Sequence, residues 1–304
     1  MSELTMNANT NIIGQDRKVQ KMRSNKTQST IWNFWIYTFL ILGAVVMIIP
    51  LIWMFFSSLK SPGQFLTTQL SLKMPENPHW ENYFRRVWQM EPALQRGVLN
   101  SLIISFSTII VGTFVSSLAA FSYAKLRFPG KQKLFLAELA TMMIPFAIIM
   151  IPQFIIYARI GWLNTWCPLI IPGMLGNVSM IFFLRQYMSG IPTSLIESAR
   201  IDGAGYFFIF IKIIFPNAKP AIAAQAILWF MGAWNDYFAP SIYLNNPNKL
   251  TVQVMISQLN AMYAIQTDYP LLLTASVLAL LPCLIMFMVF QKQIIASVAM
   301  TGLK

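Results

Sequence analysis

ESARIDGAGYFFIFIKIIFPNAKP, residues 197–220, places Glu197, Arg200 and Asp202 in a short polar segment between apolar runs long enough to cross a bilayer. Upstream, Gly190 and Pro192 end one such run. Ser194 with Glu197 then fits the S-x-x-E capping box, so a helix is expected to begin near Ser194. Leu195, Ile196 and Ala199 give it a small apolar face, and Asp202-Gly203 is a turn signal that ends it. Ala199, Gly203, Ala204 and Gly205 are small enough to let another surface approach closely. A second helix, Tyr206 to Phe215, is apolar apart from Lys212, and Pro216 and Pro220 are expected to end it. A local Glu197–Arg200 pair would contribute only about 0.2–0.5 kcal/mol. That is too little to explain so ordered a polar element, and a helix that docks on another protein explains it better.

The flanking composition sets the solvent. The chain has 304 residues, of which 56% are hydrophobic and 11% charged, against about 25% charged in soluble domains. The bilayer is therefore the expected solvent. The net charge of +12 reads as a record of orientation, not as a nucleic-acid surface. Apolar runs mark six expected spans, at 31–56, 98–124, 134–158, 168–187, 221–244 and 271–291. The fourth is irregular: Pro168, Pro172, Gly173 and Gly176 break it and Asn177 sits near its middle. Non-helical backbone at membrane depth is tolerated only against protein or a water-filled cavity, so this span is expected inside the assembly.

Arg17, Lys18, Lys21, Arg23 and Lys26 precede the first span, and Lys125, Arg127, Lys131 and Lys133 crowd one short loop. Both votes put the N- and C-termini in the cytoplasm. The run 31–56 exceeds the about 7–15 residues of a secretory apolar region, so it reads as a retained span. The organisation is then a cytoplasmic tail (1–30), a first span (31–56), an extracytoplasmic loop (57–97), a core (98–295) carrying the polar loop 190–220, and a cytoplasmic tail (296–304). Within 57–97, Trp80, Tyr83, Phe84, Val87 and Trp88 recur at helical spacing, which predicts one short amphipathic helix.

Little material for catalysis exists. Cys167 and Cys283 lie far apart and His79 is the single histidine, so no metal-ligand set is expected. No G-x-x-x-x-G-K-[ST] occurs; Gly130-Lys131 is followed by Gln132. Four polar residues within apolar runs are candidates for a substrate path: Gln153, Asn177, Asn235 and Asp236. Gln153 and Asn177 are open to two readings, lining a path or hydrogen bonding between helices. Asp236 is open to two readings as well, a functional intramembrane carboxylate or a structural partner in an aromatic belt with Trp234 and Tyr237. Glu138 is expected to pair with Lys131 or Lys133.

Glu197-Ser198-Ala199, Asp202-Gly203-Ala204, Ile213, Pro216 and Pro220 resemble the EAA loop of ABC-transporter permeases, with Ser198 where the motif has alanine. The resemblance extends from about Pro78 to the end through Asn100-Ser101-Leu102, Phe128-Pro129-Gly130-Lys131, Pro152, Ile160-Gly161-Trp162-Leu163-Asn164-Thr165, Trp234-Asn235-Asp236-Tyr237 and Thr301-Gly302-Leu303-Lys304. Together these look like the MalG-like, carbohydrate-uptake branch. The resemblance implies an all-α polytopic membrane protein with six transmembrane helices and a MetI-like permease core, in a bacterial cell membrane. It implies a heterodimer with a second, MalF-like permease, two ATPase subunits, and an extracytoplasmic solute-binding protein that delivers a carbohydrate. It makes the EAA loop a coupling helix. Glu197 and Asp202 then contact the ATPase, Ser198, Ala199 and Ala204 fit its cleft, Gly203 supplies the turn, and Thr301 to Lys304 reach toward the ATPases. ATP and Mg belong to those partners, so this chain is expected to carry no cofactor and no enzyme activity. The alternatives are a secondary, ion-coupled transporter and an ABC importer permease for a non-sugar solute. A secondary transporter calls for mid-membrane ionisable groups and a repeated half, and neither is evident.

Overall fold

Backbone polar groups in hydrocarbon must be satisfied within their own segment, so apolar runs of this length resolve as helices. The computed structural model of the chain describes residues 32–89, 93–262 and 268–301, and the regular elements among them are all helical. In order these are α1 (Trp32–Ser58), α2 (Pro62–Thr67), α3 (Glu81–Phe84), α4 (Leu94–Lys125), α5 (Lys131–Thr141), α6 (Phe146–Arg159), α7 (Cys167–Met174), α8 (Val178–Ser189) and α9 (Ser194–Ile201). There follow α10 (Tyr206–Trp234), α11 (Phe238–Tyr243), α12 (Val252–Met262) and α13 (Tyr269–Thr301). The expected tail at 1–30 lies outside the described residues; of the expected tail 296–304, residues 302–304 also lie outside them and 296–301 instead continue α13.

Helices α1, α4, α7–α8, α10 and the Tyr269–Gln293 part of α13 are each long and apolar enough to cross a membrane. The expected third span, 134–158, is not one straight helix: α5 and α6 meet at 92°. The cause is Pro145, which stands in extended conformation and keeps Ile144 out of the α region. The fourth span breaks at Gly176 alone, whereas Pro168, Pro172 and Gly173 lie inside α7 and do not break it. Gly176 has φ +123°, the Asn177 side chain accepts the Met180 N–H at 3.0 Å, and the Asn177 N–H donates to Ser116 Oγ at 2.8 Å.

The fifth span departs from expectation in both limits. Pro216 and Pro220 do not end a helix, and the span is Tyr206–Trp234, not 221–244. A π-helical turn, Phe210–Ile214, absorbs the change of register, with the Phe215 N–H reaching Phe210 O. Pro216 then sits in the first turn of the next α-helical stretch, where no N–H is needed.

Helix α4 is the hub, packed against α7, α8, α10 and α12, while α10 also packs on α13. Gly112 and Gly173 permit this: a Cβ at Gly112 would lie 2.4 Å from Gly173 O, and one at Gly173 would lie 2.3 Å from the Thr108 methyl. One core cluster joins Phe121 of α4, Leu184 and Met188 of α8, Phe210 and Ile214 of α10, and Ile196 of α9. A second joins Phe230 and Trp234 of α10 to Val252 of α12 and Ala275 and Ala279 of α13. Trp234 is fully buried and donates from Nε1 to Ala279 O at 3.0 Å. It is a core residue, not part of an interfacial belt.

Within the 57–97 loop, the stretch 80–89 holds two single turns, α3 and the 3-10 turn Arg86–Gln89, in place of one amphipathic helix. Burial of polar groups explains the interruption. Asn82 Nδ2 donates to Ser58 O at 2.7 Å, Tyr83 and Ser58 share a hydrogen bond of 2.6 Å, and Arg86 forms an ion pair with Asp268. Lys60 is buried and donates to Thr68 O at 2.7 Å; burial holds its ammonium below the ordinary lysine pKa.

Candidate functional site

Two features carry functional chemistry, one at an end of the bundle and one inside it. The first is α9 with the turn after it. The expected helix starts where predicted, but Ser194 does not cap it: Thr193 holds the N-cap position without a side-chain hydrogen bond. The Ile196 and Glu197 amides reach the Thr193 carbonyl instead. Its C-terminus is a Schellman closure, with Ala204 N–H to Ala199 O at 2.9 Å and Gly203 N–H to Arg200 O at 3.1 Å. The closure requires Gly203 at φ +83°. Arg200 does not pair with Glu197. It donates to Ala204 O at 3.1 Å and lies over the Tyr206 ring at 4.7 Å.

The faces of α9 are divided. Ile196 is buried in the core cluster, whereas Leu195 joins the exposed residues and not the apolar face assigned to it. Glu197, Ser198, Asp202 and Gly203 are exposed, with Ala199 and Ala204 half-buried beside them. Among the described residues, the Glu197 and Asp202 carboxylates have neither an ion pair nor a hydrogen bond. The approach to the helix is braced from α4: Lys125 Nζ donates to Ser189 O at 3.2 Å and to Ile191 O at 2.5 Å. Nearby, Arg185 lies 3.8 Å over Phe135 and donates to Gln132. Glu138 pairs with neither Lys131 nor Lys133; it accepts the Tyr123 hydroxyl at 3.0 Å.

The second feature is a cavity of about 670 Å³ between α4, α7, α8, α10 and α11. Its polar lining comprises Ser101, Thr108, Asn177, Ser179, Gln225, Asp236 and Thr251, with Trp229 among the apolar groups. Of the expected path residues, Asn177 and Asp236 line it together, and Asp236 Oδ1 accepts the Ala239 N–H at 3.2 Å. Asn235 and Gln153 do not line it. Asn235 caps α10 and donates to Met231 O at 2.8 Å, and Gln153 accepts the Tyr243 hydroxyl at 3.2 Å. Gln225 and Trp229 escaped the sequence reading, although a signal was present. Gln225, Trp229, Gly232 and Asp236 recur at the spacing of one helical face. Among the described residues, no group of three or more His, Cys, Asp or Glu stands ready for a metal.

The matches with known proteins are consistent along the chain. Residues 112–299 match the family of binding-protein-dependent transport system inner membrane components. The arabinooligosaccharides transport system permease protein AraQ of Bacillus subtilis is 29% identical over 284 residues, covering 93% of this chain and 100% of the relative. The diacetylchitobiose uptake system permease protein NgcG of Streptomyces coelicolor is 30% identical over 264 residues, covering 86% of each. A crystal structure of a bacterial ABC transporter involved in alginate import contains a chain that superposes with a TM-score of 0.74 at 24% identity. The match covers 86% of this chain and 96% of that one, and it shows a shared fold.

Proposed function

The chain belongs to the family of binding-protein-dependent transport system inner membrane components, and we propose that it is a membrane subunit of an ATP-driven importer. With a second, MalF-like permease it forms the path for a sugar or oligosaccharide that a solute-binding protein delivers. Relatives named for arabinooligosaccharides and diacetylchitobiose support a carbohydrate cargo. Family membership speaks against a self-sufficient, ion-coupled transporter. Two partner ATPase subunits bind ATP and Mg, and this chain hydrolyses nothing.

The observation that carries this reading is the division of α9. Its polar face is exposed and its carboxylates have no partner among the described residues, while Ile196 enters the core cluster shared by α4, α8 and α10. Such a helix can receive a partner outside and pass its movement inside. In the proposed orientation both termini and α9 face the cytoplasm, in keeping with Lys125, Arg127, Lys131 and Lys133 crowded in one short loop, from which Lys125 reaches the segment just before α9. Glu197 and Asp202 meet the ATPase, Ser198, Ala199 and Ala204 fit against its surface, and Gly203 holds the turn. Closure of the ATPase pair around ATP then moves α9 as a rigid body and shifts the spans between two openings.

Gly203→Pro tests the reading, because proline cannot adopt φ +83°. The variant is expected to insert and assemble, to retain ATP hydrolysis by its partners, and to lose uptake in reconstituted vesicles. Normal uptake by the inserted variant overturns the coupling role of α9.

A further inference from the structure

The residues lining the 670 Å³ cavity include one ionisable side chain, Asp236, and no Lys, Arg or His. Its volume lies within the about 300–1,000 Å³ of ordinary ligand sites. The backbone ends around it carry opposite signs. Helix α10 ends at Trp234, next to Asp236, and presents its negative terminus there; α8 begins at Asn177 and presents its positive one. Each terminus is equivalent to about half a charge, so the two offset each other and an ionised Asp236 decides the sign. The positive end is also partly occupied, since Asn177 Oδ1 already accepts the Met180 N–H.

Of the uncharged polar groups, Ser101 Oγ accepts the Val252 N–H and Thr108 Oγ1 donates to Leu169 O at 3.4 Å, while those that follow have no partner among the described residues. Thr251 Oγ1 is buried with no hydrogen-bond partner, and Thr251 is 5% exposed. Among the described residues, Gln225, Ser179 and the Trp229 indole N–H likewise have none. An unpaired buried hydroxyl carries a desolvation cost of about 1–3 kcal/mol, which a hydroxyl-bearing guest or water removes. Trp229 is held between Gly112 and Gly173: a Cβ at those positions would lie 2.4 Å and 3.5 Å from its ring. It therefore offers a fixed apolar face beside amide and hydroxyl groups, the pattern that suits a solute with C–H faces and a hydroxyl rim.

We propose that this chain selects solute by charge at the cavity, admitting neutral, hydroxyl-rich molecules and rejecting anions, with Asp236 as the specificity-determining residue. The proposal deepens the importer reading above and rests on it. The test uses the assembled transporter with Cys167 and Cys283 replaced by serine. Ser179→Cys serves as a reporter in the cavity. Gly232→Cys is a second reporter, because a Cβ there meets nothing within 4 Å.

Labelling rates with cationic and anionic methanethiosulfonate reagents are compared, each divided by its rate with a free small thiol, because a thiolate reacts intrinsically faster with the cationic reagent. A carboxylate in a narrow, low-dielectric cleft is expected to favour the cationic reagent by about tenfold or more. Asp236→Asn is expected to bring the ratio close to unity at both reporters. Equal rates in the unsubstituted background, or a ratio that Asp236→Asn leaves unchanged, overturns the proposal. The labelling is read without ATP or transport. Failure of the importer reading shows separately, as absence of ATP-dependent uptake of neutral oligosaccharides by the same assembly.

Discussion

Gly112 and Gly203 are both obligatory, for opposite reasons. At Gly112 space is missing: a Cβ would sit 2.4 Å from Gly173 O and 2.4 Å from Cη2 of Trp229. Gly112→Ala must part α4 from α7 or displace Trp229. We expect it to destabilise the subunit by about 1–3 kcal/mol, read as a lower thermal midpoint in detergent. At Gly203 space is ample, with nothing within 4 Å of a Cβ, and the φ of +83° sets the requirement. Gly203→Ala therefore costs about 1–2 kcal/mol of local strain. It is expected to lower the thermal midpoint no more than Gly112→Ala does, and to reduce uptake less severely than Gly203→Pro. The need at Gly203 was legible because Asp-Gly after a helical stretch is a turn signal. The need at Gly112 was not, because a glycine in an apolar run looks the same whether or not another helix crosses it.

Elements were legible where local chemistry dominates and obscure where two local signals compete. Pro216 and Pro220 read as stops, yet α10 continues through them because a π-turn, Phe210–Ile214, supplies the register that a proline in the next turn tolerates. The consequence is mechanical. One helix runs from Tyr206, beside the proposed docking turn, to Trp234, beside Asp236 and the cavity. A span starting at 221 would have left those two sites on separate pieces. Gln225 and Trp229 went unread for another reason: a glutamine and a tryptophan in an apolar run do not show whether they face a neighbouring helix or a cavity, and the packing of α4, α7 and α8 decides that.

The start of α9 is braced by a second element, and that brace is testable. Lys125→Ala removes the donor shared by Ser189 O and Ile191 O. A hydrogen bond to a charged group contributes about 1.5–3 kcal/mol. We expect the variant to keep ATP hydrolysis and lose several-fold in the ratio of solute moved to ATP hydrolysed. Lys125→Arg, which retains a cationic donor, is expected to recover part of it. An unchanged ratio in Lys125→Ala would show that Ile196 alone transmits the motion.

At the scale of the whole molecule, burial is unevenly shared. The apolar window of α4 is 44% buried within the chain and that of α10 39%, whereas the window of α1 is 0% buried. In water such a helix would be untenable; in hydrocarbon its exposure costs nothing, since lipid is as apolar as a protein core. Helix α1 is tied to the rest at one end, where Asn82 Nδ2 and Thr274 Oγ1 both reach Ser58 O. The fold's stability must then reside in α4, α7–α8, α10 and α13, with α1 tethered to them. Two tryptophans of the same chemistry separate these roles. Trp234 is fully buried with its indole N–H bonded to Ala279 O, and Trp35 is 62% exposed. Trp234→Ala is expected to cost about 3–5 kcal/mol. Trp35→Ala should stay within about 0.5 kcal/mol when the isolated subunit is unfolded thermally in detergent. A comparable loss from both would mean that α1 packs against the block along its length. A loss from Trp35→Ala that arises only in the assembled transporter would place its contacts on another subunit.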